Sequence, residues 1–483
     1  MGNKKEKKKR SISTFAILLC VLLLVAVVTW LAQGQAYTDP DTGEEAFVSA
    51  ASLGDILMAP INGWHNAGEV IGFVFCLGAF LSIVTATGAL EAGIQVLVKK
   101  LHGSELKLIW ILMFVFSIGG TTFGMGEETV GFYILLAATM LAAGFDPLVG
   151  AATVLLGAGS GVLGSTINPF ATGAAVASAG VELNMGTVYV LGIILWIVTY
   201  VISALFVTAY AKRVKNRNGS VLTAEQLALC REAYGQNTEL EGDVRFTKKQ
   251  KIVLVIFGIT FVIMIFGFIP WEDLTPSLFS ALGWSAFLTG NPFGWWWFDD
   301  AATWFLLMGI VIGLIGLEDR GKLMTHICNG FADMVSVNLV IALARATSVL
   351  MNRSGLGAWL VETSVTALSS SGLPAAAFGF LDYLLHVGLS FLVPSSSGLA
   401  GLSSPIVSPI VRGMGWSVET SLMINVAANG FVNLFTPTCG FIMGGLALAR
   451  VPYETWVKWA VKLLVILFVV VAVILTVSML VLS

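Results

Sequence analysis

The chain has 483 residues, of which 57% are hydrophobic and 11% carry a charge, and its formal net charge is −3. A soluble globular domain carries about 25% charged residues, so the composition excludes a soluble protein and predicts an all-α polytopic membrane protein. The net charge says nothing about partners, and no basic stripe indicates a nucleic-acid partner.

The chain begins with a basic tail, residues 1–13, followed by an apolar run over 14–33. Because this run is longer than the roughly 7–15 apolar residues of a signal peptide, we expect an uncleaved first transmembrane helix. Lys and Arg concentrate in cytoplasmic loops, and a cytoplasmic N-terminus puts most of them on that side. This orientation leaves the C-terminus outside and predicts a multi-pass protein of a bacterial inner membrane.

Two transmembrane repeats follow in chain order. The first, 14–211, is separated from the second, 301–483, by a cytoplasmic linker at 212–251 and a connecting helix at 252–270. Within the repeats we expect helices near 14–33, 66–87, 186–211, 301–317, 336–352 and 456–481, re-entrant hairpins near 106–144 and 376–412, and broken helices near 147–181 and 417–448.

Four stretches rich in Gly, Pro, Ser and Thr interrupt the apolar sequence. GTTFGMGEE at 120–128 precedes STINPF at 165–170 by about forty residues, and PSSSGLAG at 394–401 precedes FTPTCG at 435–440 by a similar interval. Irregular backbone at membrane depth survives only where it is buried in protein or lines a cavity. Two matched pairs of breaks, about 270 residues apart, are typical of a secondary transporter whose binding site lies between repeats.

The connecting helix makes the second repeat enter the membrane from the opposite side, so we expect the repeat to be inverted. The two hairpin tips then meet near the midplane, and two pseudo-equivalent states provide alternating access. The loop charges by themselves fit full crossings as well as re-entrant hairpins.

The four breaks supply the candidate substrate-binding residues. Glycines let the backbone turn and approach a ligand, hydroxyl and carbonyl oxygens bind cations or polar groups, and X-Pro steps break helices and expose half-helix ends. The alternative is that the breaks are kinks whose small residues allow close helix packing. The candidates are Thr121, Thr122, Gly124, Asn168, Pro169, Ser395, Ser396, Ser397, Gly398, Thr436, Pro437 and Thr438.

Five ionisable residues within apolar segments are further candidates, because charge at membrane depth is costly. Glu127 and Glu128 follow the first tip and would neutralise a cationic substrate or carry a proton, unless they form a solvated rim. Asp382 and His386 lie on one helical face and fit a structural pair as well as a proton relay. Arg345 either pairs with a carboxylate of the protein or meets a carboxylate of the substrate.

GTTFGMGEETVGFY, GAGSGVLGSTINPF, LVPSSSGLAGLSSPIV and FTPTCG together resemble the C4-dicarboxylate anaerobic carrier-like family, and within it the branch of basic amino acid antiporters. The resemblance extends from about residue 14 to 481. It implies the ion transporter superfamily fold and a homodimer, in which a mobile transport domain moves as an elevator against a scaffold. It also implies that tips and breaks build the substrate and sodium sites, with sodium near Thr121, Asn168, Ser396 and Thr436. The tips read TTFG and SSSG instead of the Ser-Asn-Thr of sodium–dicarboxylate carriers, which leaves sodium coupling open.

The sequence therefore predicts a secondary active transporter of a small charged organic solute, with no cofactor beyond a coupling ion and no enzyme activity. The motif region holds Glu127 and Glu128 and no Lys or Arg. It thus favours a basic or other amino acid, as in arginine–ornithine exchange, over a dianion that these carboxylates would repel. A C4-dicarboxylate carrier coupled to sodium or protons is the alternative, and a channel is a third.

Overall fold

The computed structural model describes residues 14–39, 42–90, 92, 93, 96, 104–126, 129–215, 219–233, 247–269 and 271–483. The basic tail 1–13, the glutamates Glu127 and Glu128, and two parts of the predicted linker, 216–218 and 234–246, lie outside these residues.

Helices make up almost all of the described structure, and eight of them are long and apolar enough to cross a membrane. The helical membrane fold that the composition predicts is therefore confirmed. The first half contains α1 (Thr14–Leu31), α2 (Leu53–Asn66), α3 (Gly68–Ala86), α4 (Glu105–Phe123), α5 (Val130–Ala142), α6 (Pro147–Leu163), a π-helical turn (Pro169–Gly173), α7 (Ala174–Ser178) and α8 (Met185–Lys215).

The second half follows a set of connecting elements. The connection contains α9 (Ala224–Ala233), α10 (Lys248–Phe268), α11 (Trp271–Leu274), α12 (Pro276–Ala281) and a 3₁₀ turn (Gly283–Phe287). The remaining elements are α13 (Phe298–Gly316), a 3₁₀ turn (Arg320–Lys322), α14 (Leu323–Arg353), α15 (Leu356–Ser369), α16 (Ala375–Leu392), α17 (Ser396–Gly413), α18 (Val418–Val432), α19 (Gly440–Leu448) and α20 (Tyr453–Leu482).

A short β-ribbon after α1 departs from the all-α expectation. Strand β1 (Ala36–Thr38) pairs antiparallel with β2 (Glu45–Phe47), with Tyr37 opposite Ala46. The backbone N–H of Thr38 donates to Glu362 of α15 at 2.6 Å, so the ribbon is tied to the second half of the chain. Such short strands depend on this distant contact, which hydrophobic periodicity does not reveal.

The helices form two groups that meet along α14 and α19. The frame helices, α1–α3, α10, α13 and α14, pack on one another, and the hairpin helices, α4–α8 and α16–α20, do the same. In the frame, glycines allow close crossings: a Cβ on Gly78 of α3 would lie 2.6 Å from the carbonyl oxygen of Gly330 on α14. Residues of both groups line a cavity at this boundary.

Close glycine contacts also hold the two broken helices together. A Cβ on Gly161 of α6 would lie 2.1 Å from the carbonyl oxygen of Ser117 on α4, and a Cβ on Gly430 of α18 would lie 2.4 Å from the Cα of Leu163. These crossings bring the ends of α4, α6 and α18 to one place. The glycines therefore allow close helix packing, as the alternative interpretation of the breaks expects. The same crossings also position the breaks.

Candidate functional site

A cavity of about 180 Å³ lies at the boundary between the frame and hairpin helices. Both hairpin tips, both broken helices and three parts of the frame contribute to its wall, so the structure gathers elements far apart in the chain. The lining residues are Val70, Gly124, Val162, Phe170, Trp297, Phe298, Ile341, Ala344, Arg345, Pro394, Ser395, Ser396, Ser397, Asn433, Thr438, Cys439, Gly440 and Phe441.

The first tip is fixed to the first broken helix by hydrogen bonds. The backbone N–H of Thr166 donates to the carbonyl oxygen of Thr121 at 3.0 Å, and the Thr121 hydroxyl donates to the carbonyl oxygen of Gly164 at 3.1 Å. Gly124 ends α4 with φ +75, a left-handed conformation that glycine adopts without strain. Gly124 faces the cavity, whereas Thr121 is buried behind it.

The structure places Thr122 away from this cavity. Its hydroxyl donates to the carbonyl oxygen of Ile118 on its own helix at 2.7 Å, and its side chain lines a separate apolar cavity of about 590 Å³ beside α10. Neighbouring residues on an α-helix point about 100° apart. Thr121 and Thr122 therefore cannot both face the first break.

Asn168 and Pro169 shape the first break from behind the cavity wall. The Asn168 side chain accepts a hydrogen bond from the backbone N–H of Phe170 at 2.9 Å and donates to the Ser165 hydroxyl at 2.9 Å. Pro169 begins the π-helical turn, where its missing N–H is not needed. Neither residue lines the cavity in the described structure, but both present the ring of Phe170 to it.

The second tip brings three serines to the wall of the cavity. Ser395 is the N-cap of α17, and its hydroxyl accepts a hydrogen bond from the backbone N–H of Gly398 at 3.3 Å. The Ser396 hydroxyl donates to the Asn429 side-chain oxygen at 2.7 Å, and Ser397 is exposed. The N-terminus of α17 thus faces the cavity with its partial positive charge.

Asn433, the C-cap residue of α18, lies outside the four sequence motifs and anchors this tip. Its side-chain amide donates to the carbonyl oxygen of Pro394 at 2.9 Å, and its side chain is 6% exposed and lines the cavity. Its side-chain oxygen accepts no hydrogen bond from the described residues. A buried polar atom usually has a partner, so this unpaired oxygen is a candidate acceptor at the cavity wall. An Asn within an apolar helix next to a break was the signal that could have identified it.

The second break contributes one side chain directly. The hydroxyls of Thr436 and Thr438 lie 2.7 Å apart, and the Thr438 hydroxyl donates to the carbonyl oxygen of Phe391 at 3.2 Å. Thr438 lines the cavity, while Thr436 and Pro437 are buried behind it. The N-terminus of α19 at Gly440 also reaches the wall.

Arg345 of α14 lines the cavity from the frame side. It has no ion-pair partner among the residues that the structure describes. Among the described lining residues it alone carries a charge. The four break motifs contain no Lys or Arg, and this basic residue comes from a helix outside them.

Asp382 and His386 lie away from the described cavity wall, within the second hairpin. The His386 Nδ1 lies 2.9 Å from Asp382 Oδ1, and its Nε2 lies 2.6 Å from the Ser403 hydroxyl. The Ser421 hydroxyl donates to Asp382 Oδ2 at 2.9 Å. Both ionisable side chains are fully buried, and their hydrogen bonds join α16, α17 and α18. Glu127 and Glu128 lie outside the described residues.

A broken-helix cavity between two groups of membrane-spanning helices is the architecture of a membrane transporter. A family model for the C4-dicarboxylate anaerobic carrier, DcuC, matches residues 12–480. The chain therefore belongs to this family. It is a multi-pass secondary transporter that acts on a small molecule, and it is not an enzyme.

Two curated relatives match most of the chain. One, from Haemophilus influenzae, is called only an uncharacterized protein and is 28% identical over 427 residues, which cover 88% of this chain and 78% of the relative. The other, from Escherichia coli, carries the name "Putative basic amino acid antiporter YfcC" and is 28% identical over 418 residues, covering 84% of this chain and 76% of the relative.

Two solved transporter structures are distantly similar. The YdaH transporter of Alcanivorax borkumensis is 16% identical, with a TM-score of 0.45 over 97% of this chain and 98% of its own. MtrF of Neisseria gonorrhoeae is described as one of a class of antimetabolite efflux pumps. It is 15% identical, with a TM-score of 0.46 over 98% of this chain and 96% of its own.

Proposed function

We propose that this chain is an alternating-access carrier of a small solute that bears a carboxylate, preferably a basic or other amino acid, with arginine–ornithine exchange as one form. The observation that carries the proposal is the cavity itself. Both tips, both breaks and the frame residue Arg345 line one space of about 180 Å³. A pocket of this kind, with a few convergent polar groups, is typical of a small-molecule site.

The polar side of the cavity is suited to a carboxylate. Arg345 offers a planar set of donors that matches the two oxygens of a carboxylate. The serines at the N-terminus of α17 and the free oxygen of Asn433 add hydrogen-bonding groups. An amino acid would place its carboxylate at Arg345 and Ser396, and its ammonium group beside the Asn433 oxygen.

The position of the cavity supports alternating access. Arg345 belongs to the frame helices, whereas Ser396 and Gly124 belong to the hairpin helices. Movement of one group against the other would open the cavity first to one side of the membrane and then to the other. Within this proposal the hairpin helices move as an elevator in a homodimer of the inner membrane, with the N-terminus cytoplasmic and the C-terminus outside.

A C4-dicarboxylate is the second candidate substrate, and one observation favours it. The N-termini of α17 and α19 both reach the cavity that Arg345 lines, and helix N-termini favour anionic groups. The name of the family points the same way. Sodium, held near Thr121, Asn168, Ser396 and Thr436, stays a prediction for the coupling ion.

Counterflow in proteoliposomes tests the proposal. Vesicles preloaded with unlabelled L-arginine, ornithine or succinate should accelerate uptake of the same labelled solute for the true substrate, because a carrier exchanges solutes through one site. Uptake that is not accelerated by any preloaded solute would indicate a channel or an unrelated cargo. Replacing sodium by choline in the same assay separates sodium coupling from proton coupling or pure exchange.

A further inference from the structure

Trp297, at the N-terminus of α13, is held in the cavity wall from two directions. Its backbone N–H donates to Asp300 Oδ2 at 2.8 Å, and its indole N–H donates to Glu69 Oε2 in a short hydrogen bond. Asp300 is 5% exposed and also accepts from the Asn291 side chain. The backbone bond positions the residue, which is 37% exposed, and the indole bond orients its ring.

Two further rings stand beside this indole. The ring of Phe170 lies 4.7 Å from that of Trp297, and the ring of Phe298 lies 5.4 Å from it, measured between centroids. All three residues line the cavity, together with Val70, the neighbour of Glu69. The cavity wall thus contains an aromatic cluster in addition to Arg345 and the serines.

The contact with Glu69 changes what the indole attracts. The face of an indole ring carries negative charge and attracts cations. Donation of the indole N–H to a carboxylate polarises the ring further, since hydrogen-bonded groups polarise one another. The Glu69 carboxylate also adds its own negative potential near this side of the cavity. A second carboxylate of a ligand would be repelled here.

We propose that Trp297, polarised by Glu69 and flanked by Phe170 and Phe298, is the subsite for the cationic end of the substrate, an ammonium or guanidinium group. This inference rests on the proposed function, in which the other end of the substrate is a carboxylate bound by Arg345. The two subsites together select a substrate with opposite charges at its ends and exclude a dicarboxylate. Trp297 contacts the cation, and Glu69 is a positioning residue that acts through Trp297.

The chain supplies a matched control for this pair. Trp295 lies in the same loop as Trp297. Its indole N–H likewise donates to a carboxylate, Glu272 Oε2, at 2.7 Å. Trp295 and Glu272 do not line the cavity in the described structure. Substitutions at the two pairs therefore remove the same type of indole–carboxylate hydrogen bond. Only those at Trp297 and Glu69 alter an indole that lines the cavity.

The test compares binding of L-arginine with that of L-citrulline, whose side chain has nearly the same shape and no charge. Isothermal titration of the purified full chain should show that wild type prefers arginine. Trp297→Leu and Glu69→Gln should each reduce this preference, by about 2- to 30-fold for Trp297→Leu and by less for Glu69→Gln. Trp295→Leu and Glu272→Gln should leave it unchanged. Trp297→Phe, which keeps an aromatic ring, should retain part of the preference for arginine over citrulline.

Equal loss of both ligands in Trp297→Leu and Glu69→Gln would show a structural role and overturn the subsite. Equal affinity of wild type for arginine and citrulline would overturn it as well. Succinate counterflow without any arginine binding would overturn the subsite while leaving the carrier in place. Absence of counterflow with arginine, ornithine and succinate alike would instead contradict the proposed function.

Discussion

The side-chain amide of Asn433 lies 2.9 Å from the carbonyl oxygen of Pro394 and holds the second hairpin tip against the second broken helix. In the first half the backbone contact between Thr121 and Thr166 joins the corresponding tip and break. Both tips are therefore tied to their own broken helices, and the second tie uses a side chain that also faces the cavity. The two halves thus differ in how the tip is held: by a backbone hydrogen bond in the first half and by a side chain in the second.

Replacing Asn433 by alanine should weaken L-arginine binding by about tenfold, because one hydrogen bond to the tip and one ligand acceptor are lost, each contributing about 0.5–1.5 kcal/mol. Isothermal titration measures this. Asn425→Ala, on the same helix but away from the cavity in the described structure, is the control and should bind as wild type does. Equal affinity in the two variants would remove Asn433 from the site.

Arg345→Ala should lower affinity for L-arginine and for L-citrulline by about tenfold or more, since both carry the carboxylate and hydrogen bonds to charged groups contribute about 1.5–3 kcal/mol. Arg345→Lys should bind more tightly than Arg345→Ala but more weakly than wild type, because an ammonium cannot bind both carboxylate oxygens in the same plane. Arg353→Ala, at the exposed end of the same helix, is the matched control. If Arg345→Ala binds both ligands normally, the carboxylate is held elsewhere.

Gly161→Ala should destabilise the protein by about 1–3 kcal/mol, because the added methyl would overlap the backbone of α4. The new Cβ would lie 2.1 Å from the Ser117 carbonyl oxygen. Gly258→Ala, whose Cβ would meet nothing within 4 Å, should be neutral or stabilising. Thermal unfolding in detergent compares them, and similar melting temperatures would contradict the crossing of α4 and α6.

His386→Leu should cost about 1–3 kcal/mol of stability, because it removes the side chain 2.9 Å from the buried Asp382 Oδ1 and leaves that oxygen unsatisfied. His65→Leu, at an exposed position, should have no such effect. Asp382→Asn separates the two earlier interpretations of this pair. A changed pH dependence of exchange would support a proton relay, whereas an unchanged profile with lowered stability would leave a structural pair.

The sequence predicted the parts of this molecule that depend on local chemistry. Apolar segments predicted the membrane helices, and Gly- and Pro-rich breaks lie where α4 ends and α19 begins. Thr122 was placed in the site because adjacent threonines look alike in sequence, although helical geometry points them in different directions. Arg345, Asn433 and Trp297 meet only through packing between distant helices, and no local pattern records that.

Disulfide locking of the frame to the hairpin helices tests the central claim, alternating access around one cavity. A Cβ on Gly444 of α19 would lie 3.9 Å from the Cβ of Val337 on α14, one from each side of the boundary. Disulfides join Cβ atoms about 3.5–4.5 Å apart, so a Val337→Cys/Gly444→Cys variant should crosslink on oxidation. Each single cysteine variant is the control. We expect oxidation to abolish L-arginine counterflow in the double variant only and reduction to restore it. Undiminished exchange by the crosslinked protein would contradict the account.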